Sequence, residues 1–301
     1  MYKLHFGLRD TPFGITPDTS FFFTGVGSQE ALNTLLVAVK TGEGFIKITG
    51  EVGTGKTLLC RKFMATLDDS FVTAYIPNPY LEPRTLMLAL ADELGITLEK
   101  DVDQHQLMKA INHRLLMLAH DGKQVVLCID EAQAIPIESL EALRLLTNLE
   151  TEKRKLLQIV LFGQPELNRT LQQDSIRQLA QRISFHYDLG PLSRADLDIY
   201  LMHRLRVAGY TGPRLFSRRA VRLLYDASGG IPRLVNMLAH KTLMLAYGRG
   251  KKQVAGADVR LAARDTAASK KRWWAIGLPL LGGVVLAIAC CAAWMYFQRI
   301  K

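Results

Sequence analysis

Residues 50–57 read Gly-Glu-Val-Gly-Thr-Gly-Lys-Thr and fit GxxxxGK[ST], a spacing suited to cradling phosphate groups. Its glycines let backbone N–H groups converge on a β-phosphate, and the helix expected after it adds a partial positive charge. Lys56 can reach the β- and γ-phosphates, and the Thr57 hydroxyl can ligate Mg²⁺. The nucleotide-binding stretch is therefore expected to be Gly50, Glu51, Val52, Gly53, Thr54, Gly55, Lys56, Thr57 and Leu58. A second group lies at Val125-Val-Leu-Cys-Ile-Asp130-Glu131, an apolar run ending in two carboxylates. Asp130 can hold Mg²⁺ through water, and Glu131 can polarise a water in line with a γ-phosphate. A chain that only bound nucleotide would not need Glu131, so ATP and Mg²⁺ are expected with hydrolysis as the chemistry.

These groups need strand ends to place them. FIKITG (45–50), FVTAYI (71–76), QVVLCID (124–130), LLQIVLFG (156–163) and RISFHYDL (182–189) read as strands alternating with longer helical patterns. Such alternation predicts an α/β fold with a parallel sheet and helices on both faces. From Ser193 the strand runs stop, and helical patterns follow at 193–208, 217–227, 231–248 and 256–268. The expected organisation is a nucleotide-binding α/β domain over 1–192 and a helical lid over 193–268.

The last stretch differs in kind. Trp273 to Phe297 is 25 residues without a charge, bordered by Lys270, Lys271 and Arg272 on one side and Arg299 and Lys301 on the other. At about 1.5 Å per residue it is long enough for a hydrocarbon core of about 30 Å, with Trp273, Trp274, Trp294 and Tyr296 at its margins. The expectation is one C-terminal transmembrane helix at 273–297 in contact with the lipid bilayer. No apolar run of signal-peptide length opens the chain, so the first 270 residues are expected to stay in the cytoplasm of a single-pass bacterial inner-membrane protein. The net charge of +10 falls half in residues 270–301, with five basic residues and no acid there. That leaves +5 over 269 residues, which disfavours nucleic acid as a partner. Cys60, Cys128, Cys290 and Cys291 have no ligand spacing, and neither a disulfide framework nor a metal cluster of His and Cys is expected.

The loop and paired carboxylates resemble the AAA+ ATPases, and further motifs narrow the likeness. Pro12-Phe13, Pro17-Asp18, Phe21-Phe22-Phe23, Glu30-Ala31-Leu32 and Phe162-Gly163-Gln164-Pro165-Glu166-Leu167 together resemble the ExeA/GspA branch of secretion ATPases. Within it the chain is most similar to short members of the MSHA-pilus biogenesis type. Larger relatives carry a peptidoglycan-binding domain after their span, whereas only Gln298–Lys301 follow it here.

The resemblance implies further roles. Gln164 would take the sensor-1 position, reading the γ-phosphate or orienting water, where the wider superfamily more often has Asn, Ser or Thr. Arg182 resembles the arginine that reaches a neighbouring subunit's nucleotide, with Arg177 as the competing candidate. Arg233, in Gly229-Gly-Ile-Pro-Arg233, resembles sensor 2. Phe21–Phe23 either close over the adenine or pack as core. The implied partners are further copies of the chain in a ring-like oligomer, a hexamer being one form, and membrane subunits of a type IV pilus or type II secretion-like envelope assembly.

Two other functions compete. A DNA-binding ATPase of the transposition-regulator type would use Arg214, Arg218, Arg219 and Arg222. A nucleotide-gated scaffold would bind ATP with little turnover, and Glu131 is the residue that separates it from an ATPase.

Overall fold

Five apolar runs form one parallel sheet: β1 (Phe45–Thr49), β2 (Phe71–Ile76), β3 (Gln124–Ile129), β4 (Leu157–Gly163) and β5 (Ile183–Asp188). The computed structural model describes residues 2–99, 102–147 and 155–266. The strands are ordered β2-β3-β4-β1-β5. Because alternate side chains of a strand face opposite ways, each inner strand feeds two cores. Ile46, Ile48, Val126, Cys128, Val160 and Phe162 pack with Leu32 and Leu35 of α2 (Val26–Lys40) and Leu59 and Phe63 of α3 (Lys56–Met64). Val125, Leu127, Ile129, Ile159 and Leu161 face the other way. They meet Leu86 and Leu90 of α4 (Pro83–Glu93), Leu107 and Ile111 of α5 (Gln104–His120), and Leu140 and Leu143 of α6 (Ile137–Leu146). Local chemistry sets the helix starts: Pro83 opens α4, and the Asp103 carboxylate and Gln106 form a reciprocal cap on α5. Two short helices, α7 (Glu166–Leu171) and α8 (Arg177–Ala180), lie between β4 and the edge strand β5. This unit comprises residues 16–191.

The second unit joins residues 2–15 to 192–266. It contains α1 (Tyr2–Phe6), α9 (Arg194–Val207), α10 (Arg218–Ser228), α11 (Pro232–Gly248) and α12 (Gly256–Arg264). Ser193 and Ser217 accept from the backbone N–H of Asp196 and Ala220 and start α9 and α10, while Gly229 at φ 62° ends α10. The sequence reading put the N-terminal residues with the sheet, but the structure packs them here. Arg204, buried on α9, donates to the carbonyl oxygens of Pro12 and Gly14, at 2.5 and 3.3 Å. Phe13 meets Phe216 edge-on at 5.8 Å, and the Tyr2 hydroxyl lies 2.9 Å from His240 Nδ1. Contacts so distant in sequence leave no periodic signal.

One expectation is corrected. Among the described residues no helix is long and apolar enough to cross a membrane. The longest, α5 and α11, have 17 residues each, about 25 Å, and spend their apolar faces on the cores. The transmembrane helix expected at 273–297 lies outside the described residues, so the structure supports neither that helix nor the single-pass inner-membrane location built on it.

The fold also sorts charge. Residues 16–191 hold 17 Lys and Arg against 22 Asp and Glu, a net −5, whereas residues 2–15 and 192–266 hold 16 against 6, a net +10. An average over the two units hides this contrast.

Candidate active site

Strand order assembles the site. β3, β4 and β1 are neighbours, with Ile129 opposite Leu161 and Thr49 opposite Gly163. The first residues beyond these strands, Asp130, Gln164 and Gly50, therefore emerge at the carboxyl edge of one sheet, where open α/β sheets bind ligands.

The loop from Gly50 to Gly55 turns from β1 into α3. Gly50 has no room for a side chain, since a Cβ there would lie 2.5 Å from the Leu189 carbonyl oxygen. Gly55 precedes α3 at φ 105°, a left-handed conformation that side chains resist. Thr54 Oγ1 donates to Glu51 O at 2.9 Å and closes the turn, while Val52 is exposed. Lys56 is buried, and its ammonium donates to Gly50 O at 2.7 Å and Glu51 O at 3.1 Å. Burial lowers its pKa below the ordinary lysine value, opposed by the charges of Glu131, Asp130, Glu51 and Glu166.

Thr57 sits in the first turn of α3, and its hydroxyl donates to Asp130 Oδ2 at 2.6 Å. The Tyr75 hydroxyl lies 3.5 Å from the same oxygen, and burial together with the Asp130 charge pushes Tyr75 up to about 12. A hydroxyl and a buried carboxylate meeting in this way form a hard oxygen donor set that fits Mg²⁺. Glu131 follows in a left-handed conformation at φ 49°, costly for a side chain with a Cβ. Its Oε2 accepts from Gln133 Nε2 at 2.5 Å and Gln164 Nε2 at 3.1 Å. Burial raises the Glu131 pKa, but the amides of Gln133 and Gln164 and the Lys56 charge outweigh it, and the carboxyl titrates below the ordinary glutamate value.

Gln133 is the member that sequence reasoning missed. Its Oε1 accepts from the Gln164 backbone N–H at 2.9 Å, so one amide joins the ends of β3 and β4. Its only signal was its place two residues after Glu131.

Arg182 donates to Arg144 O and Thr147 Oγ1 at 3.3 and 3.2 Å, at the end of α6. Arg177 is exposed at the start of α8, and Arg233 is exposed in the first turn of α11, in the other unit. Phe21 is buried and Phe22 packs against the α2–α3 core. Leu58, in the first turn of α3, is half-buried.

Comparison with known proteins agrees with this geometry. Residues 39–171 match the model of a family described as "AAA domain". Over 299 residues, 99% of the chain, the sequence is 41% identical to general secretion pathway protein A of Aeromonas hydrophila, and it spans 54% of that protein's length. Among solved structures, Cdc6p from Pyrobaculum aerophilum is similar with a TM-score of 0.64 at 18% identity, over 83% of this chain and 71% of that one. The Aeropyrum pernix ORC2 protein gives 0.61 at 16% identity, over 83% and 72% of the two chains. Thermotoga maritima RuvB gives 0.53 at 17% identity, over 79% and 67%. At these identities the structural likenesses show the fold alone. The phosphate-binding loop, the carboxylate-ended strand beside it and the match of 99% of this chain to about half of the secretion protein make the chain similar to the ExeA/GspA-like branch of the AAA+ ATPases.

Proposed function

We propose that this chain hydrolyses ATP and that its nucleotide cycle serves the assembly of a secretion-type envelope complex. The observation that carries the ATPase reading is the convergence of Lys56, the Thr57–Asp130 pair and Glu131 at adjacent strand ends. Lys56 would exchange the loop carbonyls of Gly50 and Glu51 for phosphate oxygens, with residues 50–58 forming the cradle. Thr57, and Asp130 through water, would hold Mg²⁺, which when bound neutralises charge on the β- and γ-phosphate oxygens. Glu131 would orient the attacking water and accept its proton, with Gln164 reading the γ-phosphate. Arg182, or Arg177 in its place, would supply a cation to a neighbouring copy in a ring-like oligomer, and Arg233 would act as sensor 2. The pathway assignment is supported by the 41% identity to general secretion pathway protein A, and its finer form is biogenesis of an MSHA or other type IV pilus.

The deciding experiment measures ATP turnover by the assembled full-length chain with and without Glu131→Gln. A loss of at least a hundredfold with retained ATP binding is expected. An unchanged rate would return the chain to the nucleotide-gated scaffold.

Charge segregation favours one second reading, a polyanion partner on the helical unit. Arg218, Arg219 and Arg222 are exposed on α10, whose first turn has no acidic residue, within a unit of net +10. Duplex DNA titrated at several salt concentrations should then bind with an affinity falling steeply as salt rises. No binding at low salt removes this reading.

A further inference from the structure

We infer that Gln133 is a positioning residue of the hydrolytic centre, its side-chain amide clamping the Glu131 carboxylate to the end of β4. This inference rests on the ATPase reading. Glu131 stands just beyond β3 in a left-handed backbone conformation, a strained geometry that persists only where surrounding contacts hold it. Gln133 lies in the following 3-10 turn, Ala132–Ala134, and uses both ends of its amide. Nε2 donates to Glu131 Oε2 at 2.5 Å, and Oε1 accepts from the Gln164 backbone N–H at 2.9 Å. That backbone N–H belongs to the first residue past β4, a strand buried along its whole length, so the clamp is anchored to a rigid part of the sheet.

Gln164 also donates to Oε2, at 3.1 Å, but through a side chain assigned to the γ-phosphate. When Gln164 turns toward phosphate, Gln133 keeps the carboxylate in place. Both amides use Oε2, so neither of these two hydrogen bonds engages Oε1. The backbone bond to Gln164 also makes Gln133 a spacer between the carboxylate and the sensor, so a displacement at one is felt at the other.

The test compares wild type with Gln133→Leu, which removes both hydrogen bonds at similar size, and Gln133→Glu, which keeps an acceptor for Gln164 N–H but loses the donor to Glu131. Each full-length variant is assayed for kcat, for KM and for the Kd of a non-hydrolysable ATP analogue. Selective ¹⁵N labelling of glutamine follows the side-chain amides without nucleotide. The expected result is a tenfold to hundredfold fall in kcat for both variants with Kd within threefold of wild type. The Gln133 amide resonance should stand apart from those of exposed glutamines and merge with them in Glu131→Ala. If Glu131→Gln abolishes turnover but both Gln133 variants keep kcat within twofold of wild type, the positioning role is wrong and the ATPase reading survives. Loss of analogue binding in both variants would make Gln133 a residue of loop assembly and overturn the inference. An unchanged rate in Glu131→Gln would overturn inference and reading together.

Discussion

Gly50→Ala puts a Cβ 2.5 Å from the Leu189 carbonyl oxygen, 2.9 Å from Thr54 Oγ1 and 3.3 Å from Leu189 Cβ. Carbon and oxygen settle at roughly 3.3 Å or beyond, so the backbone at Leu189 or Gly50 must move by roughly 0.8 Å. Neither is loose. Leu189 N–H is bonded to Thr49 O at 2.7 Å, and Gly50 N–H to Gly163 O at 3.2 Å, which ties the loop to two strands. Overpacking of this kind costs about 2 kcal/mol, and for a unit of this size that lowers the melting midpoint by roughly 4–8 °C. The same shift moves Gly50 O, which holds the Lys56 ammonium at 2.7 Å. ATP affinity should therefore fall by about tenfold or more, equivalent to about 1.4 kcal/mol. Gly190→Ala is the control, next to Leu189 in the segment after β5, since its Cβ meets nothing within 4 Å and its φ is not positive. The assay is thermal melting of the full-length chain with titration of a fluorescent ATP analogue. A Gly50→Ala protein that melts within 1 °C of Gly190→Ala and binds the analogue equally well would refute the claim that this close approach shapes the phosphate loop.

Two further outcomes follow from the helical unit. Arg204→Met removes the buried guanidinium that donates to Pro12 O and Gly14 O, leaving the Pro12 carbonyl without that donor. The expected loss is about 3 kcal/mol with early cleavage of residues 2–15 in limited proteolysis, and an N-terminus as resistant as wild type would exclude the anchoring role. His240, bonded to the Tyr2 hydroxyl at 2.9 Å, has its pKa lowered by burial from the ordinary 6.5. A depressed folded-state pKa gives stability that is present above the unfolded value and is lost as pH falls through the folded one. Melting of the wild type should therefore drop below about pH 6.5 and level off at lower pH, and His240→Asn should flatten that segment of the curve.

Several features were legible because their signals are local. The strand runs appeared within a residue or so of where the apolar patterns ended, since burial on both faces of a parallel sheet writes a continuous apolar run into the chain. The helical patterns at 193–208 and 217–227 match α9 and α10 to within a residue, and Ser193 and Ser217 cap those helices through neighbouring backbone groups. The expected membrane helix shows the opposite case: a composition rule applied to one segment found no supporting helix among the described residues. Averaging misled in a similar way, for +5 over residues 1–269 concealed an acidic sheet unit and a strongly basic helical one.

The sequence alone determined the chemistry available at each strand end: a glycine loop with Lys56 and Thr57, the carboxylates Asp130 and Glu131, and the amide of Gln164. Only the tertiary structure decided which of these meet and how they are held. The strand order sets β4 between β3 and β1, which brings Gln164 to Glu131. The left-handed turn at Glu131 then aims its carboxylate at Gln133, and Arg204 draws the N-terminal segment onto the helical unit. A hydrogen bond depends on position within a few tenths of an ångström, and for residues far apart in the chain that position is set by the packing of the sheet and helices between them.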